Sequence, residues 1–244
     1  MKTFITRTAA LTGVCVILLF AATPATGLQR TQDDTAARIR ELSQSPTLPQ
    51  PEGTLLKLLT RALDRYEHLK DYECLFDKQE ARPDKTTGPA ERLFLKFEKP
   101  FKIYLGWLNT DKAGLQVVYE RGRHDNQLAV HQPGLLFGLA QVVFLSQDSP
   151  WVKEGSASFN IEDAGIGTFL YEFCEAVLEA STQKRLQVHP ARLGRMGEAF
   201  EVTFDVAELS DVFFARRIVV FFDRTSGLPT RMRLYDWEAK LIGQ

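Results

Sequence analysis

The sequence contains few of the residues that most often carry out chemistry. Only four histidines and three cysteines occur among its 244 residues. It has no HExxH, HxH or CxxC spacing to hold a metal ion and no GxSxG segment to position a hydrolase nucleophile. It also lacks the GxxxxGK[ST] and strand–GxGxxG–helix patterns that bind nucleotide phosphates. We therefore predict a protein that is not an enzyme, with no catalytic residues, no metal site and no cofactor.

An excess of charge of either sign is also lacking, since 30 lysines and arginines face 31 aspartates and glutamates. Nucleic-acid binding requires a basic face or stripe, so we expect no nucleic-acid partner. A hydrophobic fraction of 44% with 25% charged residues is typical of a folded globular protein. This composition excludes a chain that is disordered throughout.

The N-terminus has the pattern of an export signal. Two basic residues precede an uncharged stretch whose apolar centre, residues 14–22, is short for a membrane span. Small residues follow, and we predict cleavage after Gly27, with Ala25 as the alternative position. An uncleaved membrane anchor is the competing interpretation. Residues 1–27 are therefore predicted to be a signal peptide, and the mature chain to be periplasmic or secreted.

Export leaves two cysteines in the mature chain, Cys74 and Cys174. An oxidising compartment would allow them to form a disulfide, but two buried free thiols fit the sequence equally well. Cys74 lies in a strand pattern and Cys174 in a helix pattern, and their spacing is not that of a metal or redox site.

Helical spacing of apolar residues indicates two main helices. The first covers residues 52–70 and is amphipathic. The second covers residues 160–183, with Asn160 and Asp163 as predicted capping residues. Before them, residues 28–53 are predicted to form a linker that contains a short charged helix and a proline-rich stretch, and residues 54–244 to form the main domain.

Most of the remaining chain alternates between apolar and polar residues with the period of antiparallel strands. Residues 133–145 are apolar without a clean period, and residues 212–223 are apolar on both faces, as in a central strand covered on both sides. The chain stops at Gln244 without a turn signal, so we expect either an unfinished sheet edge or a truncated chain. The predicted strands cover residues 72–79, 92–97, 101–107, 115–121, 127–132, 185–195, 199–207, 212–223 and 229–237.

Aromatic residues are the positive signal. The chain contains 17 phenylalanines beside 3 methionines and 3 tryptophans, and most of the phenylalanines lie on or next to predicted strands. They fill an ordinary core in the simplest interpretation. The alternative is a concave sheet that binds an apolar ligand beneath helices.

Five segments resemble a family of exported bacterial proteins often labelled outer-membrane lipoprotein-sorting protein. The most specific is residues 95–107 (LKFEKPFKIYLGW), and the other segments are residues 72–80 (YECLFDKQE), 118–122 (VYERG), 161–166 (IEDAGI) and 235–237 (YDW). That family is similar to the lipoprotein carrier LolA and its receptor LolB. The resemblance implies an α+β fold, an incomplete antiparallel β-barrel or LolA-like half-barrel with covering helices.

The resemblance further implies a periplasmic carrier of lipid or lipoprotein acyl chains. We expect its apolar cavity to be lined by Phe97, Leu105, Trp107, Phe204 and Phe222, with the two main helices as a lid. Its expected partners are acyl chains, an envelope protein and, transiently, a membrane surface.

Two other hypotheses remain open. The first is an envelope regulator that senses lipid or lipoprotein without transporting it. The second is an enzyme based on carboxylates such as Glu98 and Glu120, although salt bridges with Lys96 or Arg121 explain these carboxylates equally well.

Overall fold

The chain begins with two helices in the computed structural model, which describes residues 32–81, 86–133, 142–150, 152, 161–191 and 197–244. Helix α1 spans Gln32–Ser43 and helix α2 spans Gln50–His68. Pro51 lies in the first turn of α2, where a missing N–H is harmless because that group has no partner within the helix. Helix α2 therefore begins two residues earlier than predicted, and the proline-rich connection is correspondingly shorter.

The third helix, α3, spans Ile166–Thr182 and follows a short 3-10 turn at Ile161–Asp163. Of the two predicted capping residues, Asn160 lies outside the described residues, and the N-cap position of α3 falls two residues after Asp163. The N-cap is Gly165, whose φ of 124° favours glycine. The first N–H of the helix instead donates to the hydroxyl of Tyr72, with a nitrogen–oxygen distance of 2.9 Å.

Helix α1 packs into the core. Its residues Thr35, Ala36 and Ile39 are fully buried, and it contacts both α2 and α3. The predicted boundary between a linker at residues 28–53 and a main domain stays a prediction. The helix within the predicted linker, however, packs against the helices of the main domain.

The first sheet is an antiparallel meander in which each strand pairs with the next in the chain. Residues 134–141 of the predicted apolar stretch lie outside the described residues, and the strand after them was not separately predicted. The six strands of this sheet are β1 (Asp71–Lys78), β2 (Glu91–Glu98), β3 (Lys102–Trp107), β4 (Gln116–Glu120), β5 (Leu128–His131) and β6 (Val142–Leu145).

The second sheet has the spatial order β11-β10-β9-β8-β7. Strand β9 is buried on both faces, as predicted, but it begins at Arg217 because the preceding residues turn at Ser210, whose backbone and hydroxyl both bond to Phe213. Strand β11 was not predicted. The five strands are β7 (Leu186–Ala191), β8 (Gly197–Phe204), β9 (Arg217–Asp223), β10 (Pro229–Tyr235) and β11 (Leu241–Gly243).

Strand β11 joins the two sheets. The backbone groups of Gln79 and Gln244 exchange two hydrogen bonds of 2.9 Å, and the N–H of Ala81 donates to the carbonyl of Ile242. The strands therefore follow one another from β6 to β1, across β11, and on to β7. No described pairing closes the gap between β6 and β7, so the predicted α+β fold with an incomplete antiparallel barrel is confirmed.

Helices α2 and α3 run antiparallel within the core. Glu52 at the start of α2 accepts a hydrogen bond of 2.8 Å from Ser181 at the end of α3. At the other end, Tyr66 makes an edge contact with Tyr171, with 6.2 Å between their ring centroids. Both helices also contact β7.

Candidate ligand-binding site

The apolar faces of the two sheets and helices α2 and α3 share one core. Alternation along each strand places one set of side chains on the buried side of its sheet. Because α2 and α3 contribute to the same cluster of buried residues, the inner faces of the sheets are covered by helices. Representative inner side chains are Phe76, Leu95, Ile103, Val117, Val202, Val220 and Leu234.

Two of the predicted cavity residues, Phe97 and Leu105, lie on this inner face of the first sheet and are almost fully buried. Phe97 stacks on Tyr72 with 5.2 Å between ring centroids and meets Phe101 edge-on at 5.3 Å. Its ring also lies beside Gly165, at the start of α3. Phe97 therefore packs beneath the N-terminal start of α3, one of the covering helices.

Phe204 and Phe222 lie on the inner face of the second sheet and are also almost fully buried. The ring of Phe204 packs against Phe213, with 5.4 Å between their centroids. All four of these apolar residues belong to the same core cluster. Their role as ligand contacts stays a prediction, since each is covered by protein in this structure.

Trp107, the fifth predicted residue, lies at the edge of that core beside a cluster of charges. Its indole N–H donates to Glu91, with a nitrogen–oxygen distance of 3.3 Å. Glu91 also forms ion pairs with Lys112 at 2.8 Å and Lys78 at 3.4 Å. Lys78 and Glu91 are each 7% exposed, and Lys78 lies 3.2 Å from Glu80.

The charges in this cluster stabilise the ionised form of Glu91. Burial alone raises the pKa of its carboxyl group, but the hydrogen bond from Lys112 and the positive charge of Lys78 outweigh that effect. The pKa of Glu91 is therefore lowered. Cys174 shows the opposite case, since burial in the apolar core raises the pKa of its thiol. Cys74 and Cys174 are both buried free thiols, the second of the two outcomes left open by the sequence.

Lys99 fixes the end of α2 to the first sheet. From the turn between β2 and β3, its ammonium group donates to the carbonyl oxygens of Tyr66, at 2.7 Å, and Glu67, at 3.2 Å. It also lies 4.2 Å from the ring centroid of Tyr66. The Tyr66 carbonyl also accepts from the N–H of Leu69 at 3.0 Å, and the Lys99 cation adds a favourable interaction with the negative end of the helix dipole.

A second group of polar contacts fixes the start of α3 to β4. The Tyr119 hydroxyl donates to Glu162, which lies in the 3-10 turn before α3, and Arg121 pairs with the same carboxylate at 3.2 Å. Burial and this hydrogen bond raise the pKa of Tyr119 to about 12. Arg121 also covers the ring of Phe101 at 4.8 Å. We call Tyr119, Arg121 and Glu162 the α3 latch.

The carboxylates considered for an enzyme are engaged elsewhere. Glu98 and Glu120 lie on either side of Lys102, at 3.9 and 3.8 Å from its ammonium group. Lys96 pairs with Glu73 instead. Both carboxylates therefore form salt bridges, but the predicted partners Lys96 and Arg121 are wrong, because Glu98 pairs with Lys102 and Glu120 with Lys102 and Arg123.

A cavity of about 200 Å³ lies beside Lys78, one of the buried charges. It is lined by residues at the end of β1, in β10 and at Gln244, which follows the short strand β11. We call it the inter-sheet cavity. A second cavity of about 500 Å³ lies at the connection between α1 and α2. None of the five predicted residues lines either one. The inter-sheet cavity is lined mainly by Asp77, Lys78, Gln79, Arg231, Met232 and Arg233.

The charged residues of this region were not predicted as a site, although the sequence contains a signal for them. Lys78 continues the inward alternation of Cys74 and Phe76, and Glu91 continues that of Leu93 and Leu95. A charge in an inward position of a strand indicates a buried partner.

A family described as a protein of unknown function, DUF1571, matches residues 69–241. The chain belongs to the DUF1571 family. The match extends from the residue after α2 to the first residue of β11, and so includes strands β1 to β10, α3, the α3 latch and every residue that lines the inter-sheet cavity except Gln244. A comparison with curated proteins finds no match.

Solved structures similar to this DUF1571 protein include three from different bacteria. A LolA superfamily protein of Nitrosomonas europaea is 10% identical over 76% of this chain and 73% of its own, with a TM-score of 0.28. A putative outer membrane lipoprotein-sorting protein domain of Vibrio parahaemolyticus is 13% identical over 75% and 73%, with a TM-score of 0.31. A DUF1329 family protein of Desulfovibrio piger is 13% identical over 76% and 73%, with a TM-score of 0.36.

Two further findings concern the part of the chain that the structure describes. None of its helices is both long enough and apolar enough to span a membrane. Its His, Cys, Asp and Glu side chains form no group of three or more that could hold a metal ion.

Proposed function

We propose that this DUF1571 protein is an exported binding or carrier protein that takes up the acyl chains of a lipid or lipoprotein in the periplasm. The observation that supports this most is the open antiparallel barrel whose apolar inner face is covered by helices. Phe97, Leu105, Phe204 and Phe222 would line the bound chain, with Trp107 at its edge. The predicted signal peptide, residues 1–27, lies outside the described residues and supports export from its sequence alone.

The energetics favour an apolar ligand. Burial of acyl chains contributes ~0.8 kcal/mol per CH₂ group and needs no polar motif. A ligand on the inner face would have to displace side chains of α2 and α3, since the inner face is covered in this structure. We therefore assign these helices the role of a lid, and this structure to its closed state.

The polar contacts that join the lid to the first sheet lie at the ends of its helices, which supports movement as a unit. Lys99 holds the end of α2, while Tyr72 and the α3 latch hold the start of α3. Loss of a few hydrogen bonds would release one end of the helical pair, while Glu52 and Ser181 keep the two helices together.

Native mass spectrometry tests the proposal. The full chain is expressed in a bacterial host and purified from the envelope without detergent. We expect bound mass that extracts into organic solvent and is identified as acyl-bearing lipid. An apo mass that persists after incubation with phospholipid and with acylated peptide would contradict acyl binding.

A matched pair of variants tests the lid. Tyr119→Phe removes the hydroxyl that bonds to Glu162, whereas Tyr104→Phe removes a hydroxyl from the outer face of β3. We expect Tyr119→Phe to accelerate uptake of a fluorescent fatty acid several-fold in stopped-flow measurements and Tyr104→Phe to leave the rate unchanged. Equal rates in both variants would exclude the latch as part of a lid.

A further inference from the structure

The inter-sheet cavity combines three basic side chains from two sheets. Lys78 comes from β1, and Arg231 and Arg233 come from β10. The two arginines are two residues apart and therefore project from the same face of their strand. We propose that this cavity binds the phosphate or carboxylate head of an anionic amphiphile whose acyl chain lies on the inner face, an inference that rests on the proposed function.

The charges of the two arginines are not neutralised within the protein. Neither guanidinium group has a hydrogen bond or ion pair with any residue that the structure describes, and both residues are exposed. Nearby carboxylates have other partners: Glu201, in the same row two strands away, pairs with Arg217 at 2.9 Å, and Asp77 accepts from Arg92 at 2.8 Å. An anion could therefore pair with both arginines without displacing an existing contact.

The cavity extends from this exposed face toward the interior. Lys78 is 7% exposed and Met232 is 2% exposed, yet both line the same cavity as Arg231 and Arg233. A bound head group would therefore contact guanidinium groups on the outer side and, on the inner side, an ammonium group and an apolar side chain. The lining thus changes from charged on the exposed side to partly apolar on the buried side, as the head and chain of an amphiphile require.

The chemistry of the lining residues favours phosphate or carboxylate. The planar guanidinium group presents paired N–H donors whose geometry matches both of these anions. The ammonium group of Lys78 already contacts Glu80 and Glu91, so it would share its charge with the ligand. The arginines would therefore supply most of the preference for an anion, and they are the residues to change.

Two probes with the same acyl chain separate head-group recognition from acyl binding. These are cis-parinaric acid, which carries a carboxylate, and its uncharged methyl ester, and the fluorescence of both reports an apolar environment. The variant Arg231→Gln/Arg233→Gln removes both charges. Arg185→Gln, which removes an exposed arginine immediately before β7, is the matched control. Thermal unfolding checks that each variant is folded.

We expect the wild-type protein to bind the acid roughly tenfold more tightly than the ester, because charge-assisted hydrogen bonds are the strong ones. The double variant should lose this preference while its affinity for the ester is retained, and Arg185→Gln should behave as wild type. Equal affinity of the wild type for both probes, or a preference that persists in the double variant, would overturn the proposal.

Calorimetry with inorganic phosphate separates a lipid head from a free anion. Phosphate that competes with the acid but not with the ester supports a shared head-group site. Phosphate binding without any preference for the acid would assign the cavity to a free anion and overturn the amphiphile. If neither probe binds, the proposed acyl function fails by itself, and phosphate binding that is lost in the double variant would still support the anion site.

Discussion

The carboxylate of Glu91 is buried and forms ion pairs with two lysines, Lys78 and Lys112. Removing one partner of such a cluster is costly because the remaining charges stay buried without compensation. We expect Glu91→Gln to lower the free energy of unfolding at pH 7 by about 3 kcal/mol, as measured by urea denaturation. Glu73→Gln, which breaks the more exposed pair with Lys96, is the control and should cost less than about 1 kcal/mol.

The same residue gives the protein a dependence on acid pH. Because the folded state lowers the pKa of Glu91, its stabilising contribution is complete above the pKa in the unfolded chain, about 4.3. That contribution is lost as the pH falls through the lowered value in the folded state. Stability curves of the wild type and Glu91→Gln should therefore converge on acidification, and a constant gap between them would contradict this assignment.

At the scale of residues, the structure places Phe97 and Leu105 on the buried face of the first sheet. Alternation indicated which side chains of a strand share a face but not which face points inward, because phenylalanines occur on both. It could not predict the partner of Trp107, because that partner depends on register. Trp107 lies opposite Leu93, which brings Glu91 within reach, and the register follows from the turn between β2 and β3.

Helices α2 and α3 approach closely at one point, where Tyr66 lies over Gly167. A Cβ atom at Gly167 would be 2.1 Å from the Tyr66 hydroxyl oxygen and 2.2 Å from the ring. We expect Gly167→Ala to destabilise the protein by about 1–3 kcal/mol, as overpacking does in cores. Urea denaturation measures the loss.

Gly53 provides the control, because an alanine there should raise the free energy of unfolding, whereas an alanine at Gly167 should lower it. Gly53 also lies in a helix, but a Cβ atom there would be 3.9 Å from its nearest neighbour. Gly53→Ala should stabilise the protein by about 0.5–1 kcal/mol through helix propensity alone. A destabilisation of similar size in both variants would show that the contact with Tyr66 is not the cause.

The sequence predicted both main helices, because their apolar residues repeat with helical spacing. It could not predict how α3 begins, since the group that satisfies the N–H of Ile166 is the hydroxyl of Tyr72, 94 residues earlier in the chain. Such tertiary caps leave no local pattern. The same is true of Lys99, which satisfies the end of α2 from a turn between strands.

At the scale of the whole molecule, the two sheets depend on the pairing between β11 and the residues after β1. The N–H of Gln244 donates to the carbonyl of Gln79, and proline has no such donor. We expect Gln244→Pro to cost about 1 kcal/mol and to speed hydrogen exchange at the amides of Gln79 and Ala81. Gln244→Ala keeps the backbone bond and loses only the side-chain contact with Gln79, so exchange should stay slow in that control.

Most of the antiparallel architecture was predictable, because the meander and the last hairpins connect neighbours in sequence. Strand β11 was not, since three residues are too few to show a period, and its pairing partner lies about 160 residues away in the chain. That pairing decides whether the two sheets are separate or are joined by backbone hydrogen bonds along one edge.

Within the described residues, β11 is where hydrogen bonds join the backbones of the two sheets. Five strand intervals of about 4.8 Å separate β1 from β6, the last strand of the first sheet in the part of the chain that the structure describes, which gives a lever of about 24 Å. A rotation of about 10° at the joint would therefore move β6 by roughly 4 Å. A small change in the position of β11 would therefore produce its largest displacement at β6, on the side of the barrel where no described pairing joins β6 to β7.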